Sequence, residues 1–120
     1  MEIQLARLYK ALAHPVRLQI LHILGHGEAC VCHLIAILRR PQPYISQQLG
    51  VLREAGLVED RREGQTVFYR LTSPKIQELI RLGQELLREQ GMLAELPAVP
   101  EPPLDDCTCP VCTAHYQMML

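Results

Sequence analysis

One hundred and twenty residues allow one domain with a modest core, and with Phe68 and four tyrosines as the only aromatics that core must be aliphatic. The net charge of −1 hides an asymmetry, since residues 1–75 carry ten Lys/Arg against six acids and residues 76–120 carry two against seven. No run approaches the ~18 apolar residues of a membrane span and no signal-peptide run opens the chain, so a soluble cytoplasmic protein with a basic front suited to nucleic acid is expected.

Ile3, Leu5, Leu8, Tyr9 and Leu12 recur at helical spacings and predict an amphipathic helix over 3–12. Pro15 suits the first turn of a second helix, where a missing N–H costs nothing, and Gly25-His26-Gly27 ends it. A third helix is expected over Ala29–Leu38, with Val31, Leu34, Ile35 and Leu38 on one face. After the break at Arg39-Arg40-Pro41, Pro43 suits a first helical position, Ile45, Leu49 and Leu52 supply a buried stripe, and Gly56 reads as the stop. The period then changes. Leu57–Arg61 and Thr66–Leu71 flank Glu63-Gly64-Gln65 and predict a two-stranded hairpin. A last helix is expected over Pro74–Gly91, followed by a Pro-rich, extended and mobile linker (92–106) and a cysteine-rich tail (107–120).

Two helices around a short turn, then a hairpin and a closing helix, make a mainly α winged helix-turn-helix domain over residues 1–91, with the hairpin as wing. Recognition helices meet base edges through residues near their N-terminus, which nominates Gln42, Tyr44, Ser46 and Gln47, with Gln48 a weaker candidate. Arg39 and Arg40 before that helix, and Arg61 and Arg62 in the wing, are expected on phosphates, where contacts position the protein without reading sequence.

Residues 12–21 (LAHPVRLQIL), 46–58 (SQQLGVLREAGLV) and 64–71 (GQTVFYRL) together resemble the second helix, recognition helix and wing of ArsR/SmtB repressors. The resemblance covers roughly residues 5–90. It implies a homodimer joined through the first and last helices, bound to a pseudo-palindromic double-stranded operator with half-sites about one DNA turn apart. Residues 28–34 (EACVCHL) resemble the metal box of this family, with His33 where an acid is usual and Ile35 where arsenic-sensing members can carry another cysteine. The histidine-containing site that some members carry on the last helix is not matched here, because that helix has no histidine.

Five cysteines fall in two groups, Cys30/Cys32 and Cys107/Cys109/Cys112, a grouping that favours metal or redox chemistry over structural disulfides. On a regular helix, positions two apart diverge by about 200°, so Cys30 and Cys32 can share an ion only at a frayed or distorted helix start. The tail cysteines are expected to supply the remaining ligands, from the same or the partner chain. Soft thiolates select soft ions, and trivalent arsenic or antimony wants three sulfurs, whereas cadmium, lead or zinc takes three or four. The leading expectation is a repressor released by trivalent arsenic or antimony, with no organic cofactor and no enzymatic activity. A cadmium or lead sensor, a thiol-redox switch, a structural zinc clip and a small thiol oxidoreductase using Cys109 and Cys112 are the alternatives. His33 and His115 are weaker ligand candidates, His14 is expected to be structural, and His22 and His26 have no assigned role.

Overall fold

Leu8 and Leu12 anchor the first helix, α1 (Glu2–Leu12), on the core, while Ile3, Leu5 and Tyr9 stay exposed. The chain then extends at His14, whose Nδ1 accepts the Val16 N–H at 3.2 Å and caps α2 (Pro15–Leu24). His14 is therefore structural, as expected, and Pro15 occupies the first turn. α2 runs through the centre, with Ile20 and Leu21 wholly buried. Each such side chain contributes roughly 1.5–3 kcal/mol by leaving water. The computed structural model describes residues 1–100.

The expected start of the third helix is corrected by two residues. Ala29-Cys30 is extended and forms a short strand, β1 (Ala29–Cys30), and α3 (Val31–Leu38) begins after it. β1 pairs antiparallel with the wing, Ala29 opposite Tyr69 and Cys30 opposite Phe68. Long-range pairing thus captured a dipeptide that local helical periodicity had claimed. α3 ends at Arg39 in the left-handed region (φ 54), a conformation that turns the chain sharply into the recognition helix.

That helix, α4 (Gln42–Glu54), is one residue longer at its start than expected, so Pro43 is its second residue. Ile45, Leu49 and Leu52 are completely buried at i, i+4 and i+7, and they fix the opposite face outward. Gly56, at φ 76, turns the chain into β2 (Val58–Glu63), and Gly64, at φ 62, turns it into β3 (Thr66–Leu71). The strand order is β1-β3-β2, so the expected two-stranded hairpin is a three-stranded sheet. α5 (Lys75–Glu89) closes the domain through Ile76, Leu79 and Ile80 and leaves Leu82, Leu86 and Leu87 exposed. No helix among the described residues is long and apolar enough to cross a membrane.

Residues 92–100, the described part of the expected linker, carry no regular structure but make contacts with the domain. Gln84 donates to the Ala94 carbonyl at 2.7 Å, Arg88 pairs with Glu95 at 3.2 Å, and Val99 packs on the core. A further hydrogen bond joins His22 Nε2 to the Pro97 carbonyl at 3.1 Å. The segment straps across its own domain from α5 to α2, because its apolar Val99 and its carbonyls find partners there.

Candidate DNA interface and thiol cluster

The outward face of α4 presents Gln42, Ser46 and Gln47 to solvent, with Tyr44 half-buried beside them. The Arg40 guanidinium lies 5.6 Å from the Tyr44 ring centroid, and Arg39 and Arg40 are both exposed at the helix entrance. These residues form one polar and basic surface, since the buried stripe of α4 leaves them only that side. Gln48 departs from the expectation. It is buried (7% exposed), and its Oε1 accepts a hydrogen bond from Arg17 Nη1 at 3.0 Å, which removes it from the set facing outward. The same guanidinium donates to the carbonyls of Ala11 at 2.7 Å and Lys10 at 3.2 Å. Arg17 therefore ties the end of α1 to α4 and sets the roll of the recognition helix. Nothing in local sequence marks this role; Gln48 reads as one more polar helix residue.

The two wing arginines separate in the same way. Arg61 Nε donates to both oxygens of Glu28 (3.0 and 2.9 Å), its Nη2 reaches Glu28 at 2.6 Å, and its Nη1 reaches Glu63 at 3.0 Å. Its guanidinium also sits 4.7 Å from the Phe68 ring centroid. The Arg61 hydrogen bond holds the Glu28 carboxyl below the usual carboxylate range, so that acid stays ionised and offsets the arginine charge. Arg62, next along β2, is exposed and makes no salt bridge among the described residues. Of the two arginines expected on phosphates, Arg61 is thus compensated by carboxylates and Arg62 is not, among the described residues. Glu28 was missed because its partner lies 33 positions away.

Below the wing sits the thiol cluster. Cys30, 1% exposed, is the N-cap of α3, and its Sγ accepts the His33 N–H at 3.3 Å. The same sulfur lies 3.2 Å from Cys32 Sγ and 3.1 Å from His33 Nδ1. The helical divergence of positions two apart does not apply, because Cys30 is extended and its side chain folds back over the first turn. Cys32 lines a cleft of about 380 Å³ with Gln42 of α4 and Gln65, Thr66 and Val67 of the wing. Burial pushes the His33 pKa down and favours a neutral imidazole. The described residues contain no group of three His, Cys, Asp or Glu side chains arranged to hold a metal ion. Cys107, Cys109 and Cys112 lie outside the described residues.

Element order, wing register and an outward polar helix make a winged helix-turn-helix, and the comparisons agree. Residues 14–60 match the model of the bacterial regulatory proteins of the arsR family. The homodimeric winged helix-turn-helix DNA-binding domain Mb0332 of Mycobacterium bovis superposes with a TM-score of 0.66 at 38% identity, over 72% of this chain and 81% of that one. The chain belongs to the ArsR family. ArsR-family relatives carry different printed roles: the biofilm growth-associated repressor of Agrobacterium fabrum is 52% identical over 77 residues, 64% of this chain and 66% of that protein. The arsenical resistance operon repressor of Escherichia coli is 49% identical over 71 residues, 58% of this chain and 60% of that protein. Members of the ArsR family are DNA-binding regulators and not enzymes, which disposes of the thiol oxidoreductase alternative.

Proposed function

We propose that this ArsR-family protein is a homodimeric transcriptional repressor that leaves its operator when trivalent arsenic or antimony binds the thiolates of Cys30 and Cys32 together with a third thiolate from among the tail cysteines Cys107, Cys109 and Cys112. The observation that carries the reading is the 3.2 Å separation of the Cys30 and Cys32 sulfurs at a helix N-cap. Two adjacent soft donors supply two of the three sulfurs of a three-sulfur site and suit a thiophilic centre over magnesium or calcium. The likeness to an arsenical resistance repressor supports the metalloid over cadmium, lead or zinc.

Dimer formation is supported by the apolar side chains left exposed on α1 and α5, among them Ile3 (69% exposed) and Leu86 (60%), and by an apolar cavity of about 370 Å³ between those helices lined by Tyr9, Leu12, Leu79 and Leu87. A twofold dimer presents two α4 helices to successive major grooves about 34 Å apart. Gln42, Tyr44, Ser46 and Gln47 read bases, while Arg39, Arg40 and Arg62 hold phosphates. Coupling runs through β1. Cys30 pairs with Phe68, and Phe68 supports Arg61, so drawing Cys30 toward an arsenic centre moves the wing. A coupling of roughly 1–3 kcal/mol lowers DNA affinity about 5- to 150-fold.

The test titrates reduced protein on labelled DNA from its own promoter region with arsenite, antimonite, cadmium, lead, zinc and an oxidant. It is repeated with Cys30→Ser/Cys32→Ser and with Cys107→Ser/Cys109→Ser/Cys112→Ser. Release by arsenite or antimonite that both variants lose is the expected result. Release by oxidant alone makes the protein a redox-switched repressor, and release by nothing overturns the sensor reading.

A further inference from the structure

His22 and His26 lie four positions apart and belong neither to the DNA-facing surface nor to the thiol cluster. The chain keeps turning past the end of α2, because Gly25 is helical at φ −64 and the His26 N–H donates to the Ile23 carbonyl at 3.0 Å. The two imidazoles therefore meet on one side of the turn, with ring centroids 5.1 Å apart and planes crossed at 84°.

A carbonyl oxygen only accepts, so a hydrogen bond to one fixes where a neutral imidazole carries its proton. His22 Nε2–H donates to the Pro97 carbonyl at 3.1 Å, and His26 Nδ1–H donates to the His22 carbonyl at 3.1 Å. Each neutral ring is left with one bare nitrogen, Nδ1 of His22 and Nε2 of His26. Metal-ligating histidines are held in this way, one nitrogen donating to a backbone carbonyl while the other binds the ion. An edge-to-face ring contact by itself would impose no tautomer on either residue.

We propose that His22 and His26 chelate one divalent transition ion of the zinc class per chain, and that the strap of residues 92–100 holds His22 ready to bind it. The site is separate from the thiol cluster and independent of the function proposed above. With zinc–nitrogen bonds of about 2.0–2.1 Å, one ion shared by two imidazoles sets their centroids about 4.5 Å apart at a right angle and about 5.2 Å apart at the tetrahedral angle. The observed 5.1 Å falls inside that range. Imidazole nitrogen suits zinc, nickel and copper over magnesium or calcium. Glu28 shares a cavity with His26, but its carboxylate is engaged by Arg61, so water completes the coordination. The two imidazoles replace two waters of the hydrated ion, and no proton moves because both nitrogens are already bare. The strap contributes through Pro97, whose carbonyl keeps the His22 proton on Nε2, and Val99 packs that segment on the core.

Calorimetric titration of zinc, copper(II) and magnesium tests the site. The full chain carries Cys30→Ser, Cys32→Ser, Cys107→Ser, Cys109→Ser and Cys112→Ser, so that no thiolate competes. One equivalent of zinc per chain is expected, with copper tighter and magnesium not bound. His26→Gln, at an exposed position, should weaken zinc at least about tenfold with an unchanged circular dichroism spectrum, and His22→Gln, which keeps an N–H donor, should do the same. No zinc bound, or undiminished affinity in either variant, overturns the site. Nitrogen-15 NMR of the imidazoles names the ligating atoms: zinc should move His22 Nδ1 and His26 Nε2, and movement of the opposite pair overturns the tautomer assignment. Val99→Asp undocks the strap without touching a ligand and should weaken zinc about tenfold, as loss of an outer partner does. Undiminished affinity in Val99→Asp overturns the part given to the strap.

Discussion

Replacing Glu28 by Gln removes the more closely held of the two carboxylates that offset Arg61, leaving only Glu63, while keeping a side chain of the same shape. In the folded protein Glu28 is ionised and receives Nε and Nη2 of Arg61 at 2.6–3.0 Å, so the substitution adds one net positive charge beside each wing. If each released Arg61 then meets one phosphate, log K against log salt steepens by about 0.9 per half-site, or about 1.8 for the dimer. Between about 50 and 200 mM salt each contact is worth about 3.5-fold, so the affinity gain of the variant shrinks about tenfold across that range. Fluorescence anisotropy with labelled promoter DNA at four or five salt concentrations measures the slope, and a thermal melt confirms the fold. Arg62→Ala, measured in parallel, should flatten the slope by a similar amount, and Arg61→Ala should change it little. An unchanged slope in Glu28→Gln, or an Arg61→Ala loss as large as that of Arg62→Ala, would refute the view that Glu28 withholds Arg61 from DNA.

Arg17→Met should destabilise the protein by about 2 kcal/mol, since it strips donors from the Lys10 and Ala11 carbonyls and from the buried Gln48; chemical denaturation measures the loss, and DNA affinity should fall with it as α4 loses its set roll. Cys30→Ala should cost about 1 kcal/mol through the lost N-cap, whereas Cys30→Ser should stay within about 0.5 kcal/mol of wild type because serine is a preferred cap; equal losses in the two would show that capping is not what the Cys30 sulfur contributes. Arg39→Gly should move stability and function in opposite directions, relieving a left-handed backbone by up to about 1 kcal/mol in denaturation while weakening DNA binding at low salt.

The amphipathic spacings of α1, α2, α4 and α5, the first-turn place of Pro15, the glycine turns and the change of period at the wing are all written in consecutive residues. Local physics decides them: a 3.6-residue repeat must bury one face, and a glycine must take the left-handed turns at positions 56 and 64. The element order, and with it the winged helix-turn-helix, was therefore legible from the amino acids. The grouping of the cysteines as Cys30/Cys32 and Cys107/Cys109/Cys112 was legible too, as a composition that packing does not require.

Contacts between distant residues decided the rest. Ala29-Cys30 became a strand because β3 offered backbone partners, and this extended start brought together the Cys30 and Cys32 sulfurs that a continuous helix would have held apart. Gln48 turned inward because Arg17, 31 positions earlier, needed an acceptor there, and Arg61 was claimed by Glu28 from across the sheet. The Pro-rich stretch held its carbonyls and Val99 against α2 and α5, a docking that no periodicity encodes. Sequence fixes which residues can donate, accept or be buried, but a hydrogen bond or ion pair needs both partners within about 3 Å, and only the assembled fold sets that distance.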